Sequence, residues 1–232
     1  MNTPEIVSRD EWLTKRREFL LEEKAFNRER DALSAKRRSL PIVRIEEDYR
    51  FDSKNGEVGL GDLFGSNEQL IVQHFMFGPD WEEGCPSCSF WADSFNGTQM
   101  HLAARNTAFV AVSNAPLEKL LGYRKRLGWT FEWVSAHNSN FNADFGVSKY
   151  ADGSSAPDAY NYSKEMHMDE LPGISVFLKL PDGTIGHSYS TYARGLDMLN
   201  STYHLLDLTP LGRDEEALEF SMSWVRRNDQ YG

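Results

Sequence analysis

Large hydrophobic residues recur every seven positions near the start of the chain, at Trp12, Phe19, Phe26 and Leu33, with Leu13 and Leu20 beside the first two. Ser8-Arg9-Asp10-Glu11 just before them has the S-x-x-E form of a capping box. The pattern predicts one long amphipathic helix that ends before Pro41, because the residue preceding a proline is driven out of helical geometry. Its single apolar stripe is expected to pack on a folded body. Pairing with a second copy of the chain is the competing reading, and it weakens where Asn27 and Ser34 occupy the second seam position.

Beyond Pro41 the periodicity shortens. Ile42 to Ile45 and Tyr49 to Phe51 read as short extended pieces, and Leu70 to Phe77 is a mostly apolar run of the kind found mid-sheet with both faces covered. Trp91, Phe95 and Leu102 then follow a helical stripe that Gly97 weakens. Thr107 to Ser113 and Thr130 to Val134 read as further strands, separated by a helix from Pro116 to about Leu127. Strand, helix, strand, helix, strand predicts parallel crossovers in an α/β domain. Residues 148–169 are polar and turn-rich and read as an insertion. After them Ile174 to Leu178 and Ile185 to Tyr189 flank Pro181-Asp182-Gly183, a hairpin signal. A helix from about Leu196 to Leu206 closes the unit. The expected organisation is therefore a helical arm over 1–41, a domain over 42–207, and a tail over 208–232 that packs back on it.

Of 232 residues, 40% are hydrophobic and 12% aromatic, enough for one substantial core. The net charge of −10 is uneven: Arg9 to Arg38 holds ten Lys/Arg against seven Asp/Glu, a net +3, so the rest carries −13. An acidic body repels phosphate backbones, and nucleic acid is not an expected partner. The first ten residues lack a basic segment leading into an apolar one, and no later apolar run reaches the length of a membrane span. The expected location is the cytoplasm, with no membrane partner. Glycines are scattered without a dinucleotide or P-loop fingerprint, so no cofactor is expected.

The only two cysteines form Cys85-Pro86-Ser87-Cys88 at the head of the helical stripe. Zinc would need four protein ligands, and the six histidines are dispersed without paired spacing. An inert thiol pair is the other bland reading. Two thiols one helical turn apart favour reversible redox chemistry: the first gains thiolate character from the helix N-terminus, and in a reducing compartment the pair cycles rather than staples. Cys85 is then the attacking thiolate and Cys88 the resolving thiol. Glu82 and Glu83, just upstream, would oppose thiolate formation if close in space.

This order of elements resembles the thioredoxin fold, a central mixed sheet flanked by helices, here with a long N-terminal arm. Pro172-Gly173-Ile174-Ser175-Val176-Phe177 is similar to the cis-proline and following strand that face the dithiol in thioredoxins. Val58 to Gly65 and Phe109 to Ser113 look more like the peroxiredoxin branch. More closely, the chain resembles a family of thioredoxin-like proteins of unknown function for which dithiol-disulfide oxidoreductase activity is predicted. Glu11-Trp12-Leu13, Gly84 to Asp93, Tyr189 to Asp197 and Leu206 to Glu215 carry that likeness. The resemblance implies exchange with a protein or low-molecular-weight disulfide or thiol, with Pro172, Gly173 and Trp81 at the substrate edge.

Three departures from the pattern leave alternatives open. Thioredoxins carry Trp before the first cysteine and Gly-Pro between the two, whereas Gly84 and Pro86-Ser87 stand here. His74 occupies the place of the buried acid of thioredoxins and is a candidate general base; a core histidine bonded to backbone is the competing reading. Peroxiredoxins place a hydroxyl residue three positions before the attacking cysteine, where Glu82 stands, although Arg194 could supply a cation to a thiol peroxidase site. A non-catalytic redox sensor or adaptor, with Tyr160, Tyr162, Tyr189, Tyr192 and Tyr203 lining a binding face, keeps the fold without turnover. A homodimer through the N-terminal helix is the expected assembly if the arm pairs.

Overall fold

In a computed structural model, residues 4–157, 160–162 and 168–232 are described. The chain divides into two units, 1–41 and 42–232. The first is a helix, α1 (Arg9–Arg38), whose N-cap Ser8 accepts the Glu11 N–H and whose last turn carries Lys36, Arg37 and Arg38, the charge favoured at a helix C-terminus. Its stripe is open to solvent: Trp12, Phe19, Phe26 and Leu33 are all exposed, and Arg9 and Arg16 stack on the Trp12 and Phe19 rings.

The second unit is built on an eight-stranded sheet. Its strands are β1 (Val43–Arg44), β2 (Arg50–Ser53), β3 (Gly56–Gly59), β4 (Gln69–His74), β5 (Thr107–Ser113), β6 (Glu132–Ser135), β7 (Gly173–Lys179) and β8 (Ile185–Tyr192). The order is β1-β8-β7-β4-β5-β6-β2-β3, with β4, β5 and β6 parallel and the outer pairings antiparallel. Parallel neighbours need crossovers, which α2 (Pro86–Phe95), α3 (Gln99–Ala103) and α4 (Leu117–Leu127) provide. Two further short helices are α5 (Phe141–Asp144) and α6 (Ser201–Leu206).

Alternation along the strands sorts the core into two layers. Phe109 and Ala111 of β5 face α2 and α4 with Phe75, Phe77, Tyr123, Trp129 and Trp133. Val110 and Val112 turn to the other face and pack with Leu70, Val72, Phe141 and Phe177. A third cluster, Phe90, Trp91, Ile174, Leu196, Tyr203 and Val225, ties α2 to the last strands and to the C-terminal segment.

Several predicted elements change at their ends. The run from Leu70 to Phe77 is a strand only to His74, because its antiparallel neighbour begins at Gly173, opposite His74, and Pro172 has no N–H to extend the ladder. The predicted stripe from Trp91 to Leu102 is two helices, broken where Gly97 takes a φ of +88°. Pro116 stands as the N-cap of α4 rather than inside its first turn. The predicted helix over 196–206 is a 3-10 stretch, Ala193–Leu199, followed by α6, with the Asn200 side chain capping α6 by accepting the Tyr203 N–H. Of the predicted insertion over 148–169, residues 158–159 and 163–167 lie outside the described residues. Among the described residues no helix is long and apolar enough to cross a membrane.

Candidate active site

The dithiol sits where β4 leaves the sheet. The loop after Phe77 turns at Gly78-Pro79 and is pinned by Lys119, whose ammonium donates to the carbonyls of Pro79 and Trp81, each at 3.0 Å. The chain then returns to the strand end, where the Cys85 N–H donates to the Met76 carbonyl at 3.0 Å. Cys85 is the N-cap of α2 and Pro86 its first residue, a position where the missing N–H costs nothing. Both cysteines are free thiols, Cys85 half-buried and Cys88 buried.

Opposite pressures act on the two sulfurs. The Cys85 thiol is held down to about 6, first by the hydrogen bond from Cys88 and then, against burial, by the N–H groups of Cys88 and Ser87 at the helix N-terminus. Cys88 is pushed up, by that same hydrogen bond and by burial, with the nearby Glu170 carboxylate adding to the rise. One sulfur is thus a thiolate at neutral pH while the other keeps its proton. Alkylation of Cys85 by iodoacetamide is therefore expected to titrate with a midpoint near 6, and Cys88→Ala, which removes the leading hydrogen bond, moves that midpoint upward; the pH dependence of the alkylation rate is the measurement.

The loop before Cys85 is clamped from two sides. The Gly84 carbonyl accepts from the Tyr123 hydroxyl at 3.2 Å and from Arg227 Nη2 at 2.8 Å. Arg227 also donates through Nε to Tyr123 at 2.7 Å and pairs with Glu83 at 2.8 Å. Glu83 is further paired with Arg126, so its charge is met by two guanidinium groups, and Glu82 is exposed. Gly84 is required by close approach: a Cβ there would lie 2.7 Å from the Phe75 ring and 3.1 Å from Tyr123.

Beside Cys88 lies a cavity of about 320 Å³ whose wall includes Gln73, Trp91, Pro172, Gly173 and Ile174. Cys88, Pro172 and Gly173 thus share one cavity wall; Cys85 is not part of that wall and adjoins it through its hydrogen bond with Cys88. The thioredoxin resemblance implies a cis peptide at Pro172; there is none among the described residues, and the Pro172 carbonyl is held by the Tyr160 hydroxyl at 3.2 Å. Gly173 packs under Tyr192, which leaves no room for a side chain. Trp81 is not in the cavity wall; it is half-buried against the core and its indole covers Gly78. Arg194, 89% exposed, is at the cavity rim and pairs with Asp197 at 3.1 Å.

His74 also borders the cavity, but its ring turns to the opposite face of β4 from Gln73 and stacks on Phe141 and Phe145. Both ring nitrogens are occupied, Nδ1 by Asn142 Oδ1 and Nε2 by Ser175 Oγ, each at 2.8 Å, and burial pushes its pKa down to about 4. The imidazole is neutral at pH 7 and has no hydrogen bond to either cysteine. It anchors a buried polar chain. Asn142 donates to Asn114 at 2.9 Å, and Asn114 donates to the Glu170 carboxylate at 2.8 Å.

Glu170, two residues before Pro172, has no helical or alternating pattern around it, so no local signal in the sequence marks it. It is buried, and burial pushes its carboxyl up to about 7 against the Asn114 hydrogen bond. In the unfolded chain it titrates near 4.5. The folded form therefore binds more protons between these values, and its contribution to stability is full below 4.5 and lost as pH rises through 7. Relative to Glu170→Gln, the protein is expected to lose about 3 kcal/mol of stability over that window. Urea unfolding of both proteins at a series of pH values measures it, and the opposite-signed effect of His74 cancels in the difference.

Among the described residues no group of three or more His, Cys, Asp or Glu is placed to hold a metal ion. No curated protein matches the chain. Solved structures do. Peroxidoxin BcpB from Mycobacterium tuberculosis superposes with a TM-score of 0.50 at 14% identity, covering 72% of this chain and 97% of its own. The bacterioferritin comigratory protein of Xanthomonas campestris gives 0.49 at 11% identity, covering 71% and 94%. The mitochondrial 2-Cys peroxiredoxin of Plasmodium falciparum gives 0.43 at 14%, covering 71% and 92%. At such identities the likeness is one of fold: a thioredoxin-like mixed sheet with flanking helices. A family model matches residues 1–231, nearly the whole chain, and the protein belongs to the family DUF899, bacterial proteins of unknown function.

Proposed function

We propose that the protein is a thiol-disulfide oxidoreductase. The observation that carries this reading is the asymmetry of the dithiol: a depressed Cys85 at the N-terminus of α2 and a buried, raised Cys88 one turn further on. The Cys85 thiolate attacks one sulfur of a partner disulfide, forming a mixed disulfide and releasing the other sulfur as a thiolate. Cys88 then attacks Cys85 Sγ, the second partner thiolate leaves, and the Cys85–Cys88 disulfide holds the two-electron oxidation. The reverse sequence reduces the protein and oxidises the partner.

The resolving step needs Cys88 to lose its proton. Glu170 is the candidate acceptor: burial raises its carboxyl to about 7 and its charge acts on Cys88, although its hydrogen bond is to Asn114 and not to the thiol. His74 is a positioning residue, holding Asn142 and, through Asn142 and Asn114, Glu170. Serine has no thiolate chemistry, so Cys85→Ser is expected to bring turnover of a disulfide substrate down to the background of the reductant alone. A coupled assay with dithiothreitol as reductant measures it, and full turnover by the variant would sink the reading.

A further inference from the structure

The cavity beside Cys88 is walled largely by apolar side chains. Trp91, Phe95, Ile174, Leu196 and Met222 make it predominantly apolar, and the Cys88 residue completes it. Its volume, about 320 Å³, suits a small organic molecule. The two ionic residues that border it are already paired: Asp197 meets both Arg194 and Arg213 at 3.1 Å. A charged ligand group entering there would lose its water without gaining a free counter-charge from those two.

One polar group in the wall is unsatisfied. Gln73 is 3% exposed; its Nε2 donates to the Cys88 carbonyl at 3.3 Å, which fixes the orientation of the amide. Its Oε1 then has no partner among the described residues. A buried carbonyl oxygen of this kind favours a ligand that brings a single O–H or N–H donor and disfavours one that brings none.

We propose that the cavity holds the organic group of the dithiol's partner, and that this partner is a small, uncharged, largely apolar disulfide or thiol carrying one hydrogen-bond donor. The inference rests on the exchange reading above. Bound there, the organic group lies against Cys88, which neighbours Cys85. Cys85 attacks the partner's S–S bond, the first apolar thiolate departs, Cys88 displaces the second, and two electrons pass from the dithiol to the two released sulfurs, one of which takes up the Cys88 proton while the other leaves as the thiolate.

The test separates binding from redox. Reduced full-length protein is titrated calorimetrically with 4-propylphenol, its methyl ether 4-propylanisole, and 4-propylbenzoate. The phenol is expected to bind about tenfold more tightly than the ether, and Gln73→Leu should erase that preference. The carboxylate should bind more weakly than either. If Gln73→Leu does not fold, Leu196→Trp, which fills the cavity, should abolish phenol binding. In parallel, oxidation of the dithiol by bis(4-hydroxyphenyl) disulfide is expected to saturate with concentration, whereas oxidation by glutathione disulfide stays linear. Phenol and ether binding equally, or neither binding, overturns the cavity proposal even where every disulfide oxidises the dithiol. Phenol bound while no disulfide oxidises it overturns the exchange reading and the partner assignment together.

Discussion

Glu170→Gln is expected to slow the resolving step by about a hundredfold at pH 7, the scale of losing a positioned general base, and to leave the first attack by Cys85 intact. Glutamine keeps the volume of the side chain and an oxygen for the Asn114 amide, so the polar chain through Asn142 and His74 can persist. What is lost is the acceptor proposed above for the proton of a thiol that its hydrogen bond to Cys85 and burial already hold in its protonated form. The Cys85 mixed disulfide should therefore accumulate, and rapid acid quenching followed by mass spectrometry of the intact protein counts it. Equal resolving rates in the two proteins would remove Glu170 from the mechanism. The rate in the unmodified protein should also rise with pH through about 7, where Glu170 ionises, and the variant should lose that inflection.

The second large effect is expected at Gly84, where thioredoxins carry tryptophan. Gly84→Trp should destabilise the domain by about 3 kcal/mol or more, since even a Cβ lies 2.7 Å from the Phe75 ring. Neither obstructing ring has room to yield: Phe75 packs at a tilt against the fully buried Trp133, with ring centroids 4.6 Å apart, and Tyr123 holds the Gly84 carbonyl and Arg227. Against a typical domain stability of about 5–15 kcal/mol, this is a substantial fraction. The midpoint of urea unfolding measures it. The reactivity of Cys85 should fall with it, because the clamp that sets the loop is displaced. Gly84 thus marks a real difference from thioredoxins: the space before the first cysteine is filled by the aromatic core and by the C-terminal segment.

The central strands and crossovers were legible because each is a long apolar run or a helical stripe with distinct punctuation. Thr107–Ser113 is such a case, with its predicted and observed bounds the same. Boundaries failed where one residue overrides periodicity, as at Gly97, Asn200 and Pro172. The placement of Cys85 and Cys88 at the head of a helix after an apolar run was legible from their spacing and their flanks. Glu170, Gln73, Asn114 and Arg227 were not, since an isolated polar residue reads the same whether it ends in solvent or under another segment. Arg227 reaches Gly84 across 143 positions of sequence, and no local pattern encodes such a contact. His74 was legible as a buried polar residue in an apolar strand, but which face of β4 it joined depended on the pairing partners.

The most direct test of the account is the redox equilibrium of the two cysteines. The full chain is equilibrated in glutathione buffers spanning a range of potentials, its thiols are trapped by alkylation under acid, and the products are weighed. The account predicts a reversible two-electron transition between a doubly alkylated form and an unalkylated Cys85–Cys88 disulfide, the same from either direction. Failure to form that disulfide in any buffer, or only a stable glutathione adduct at Cys85, would contradict it.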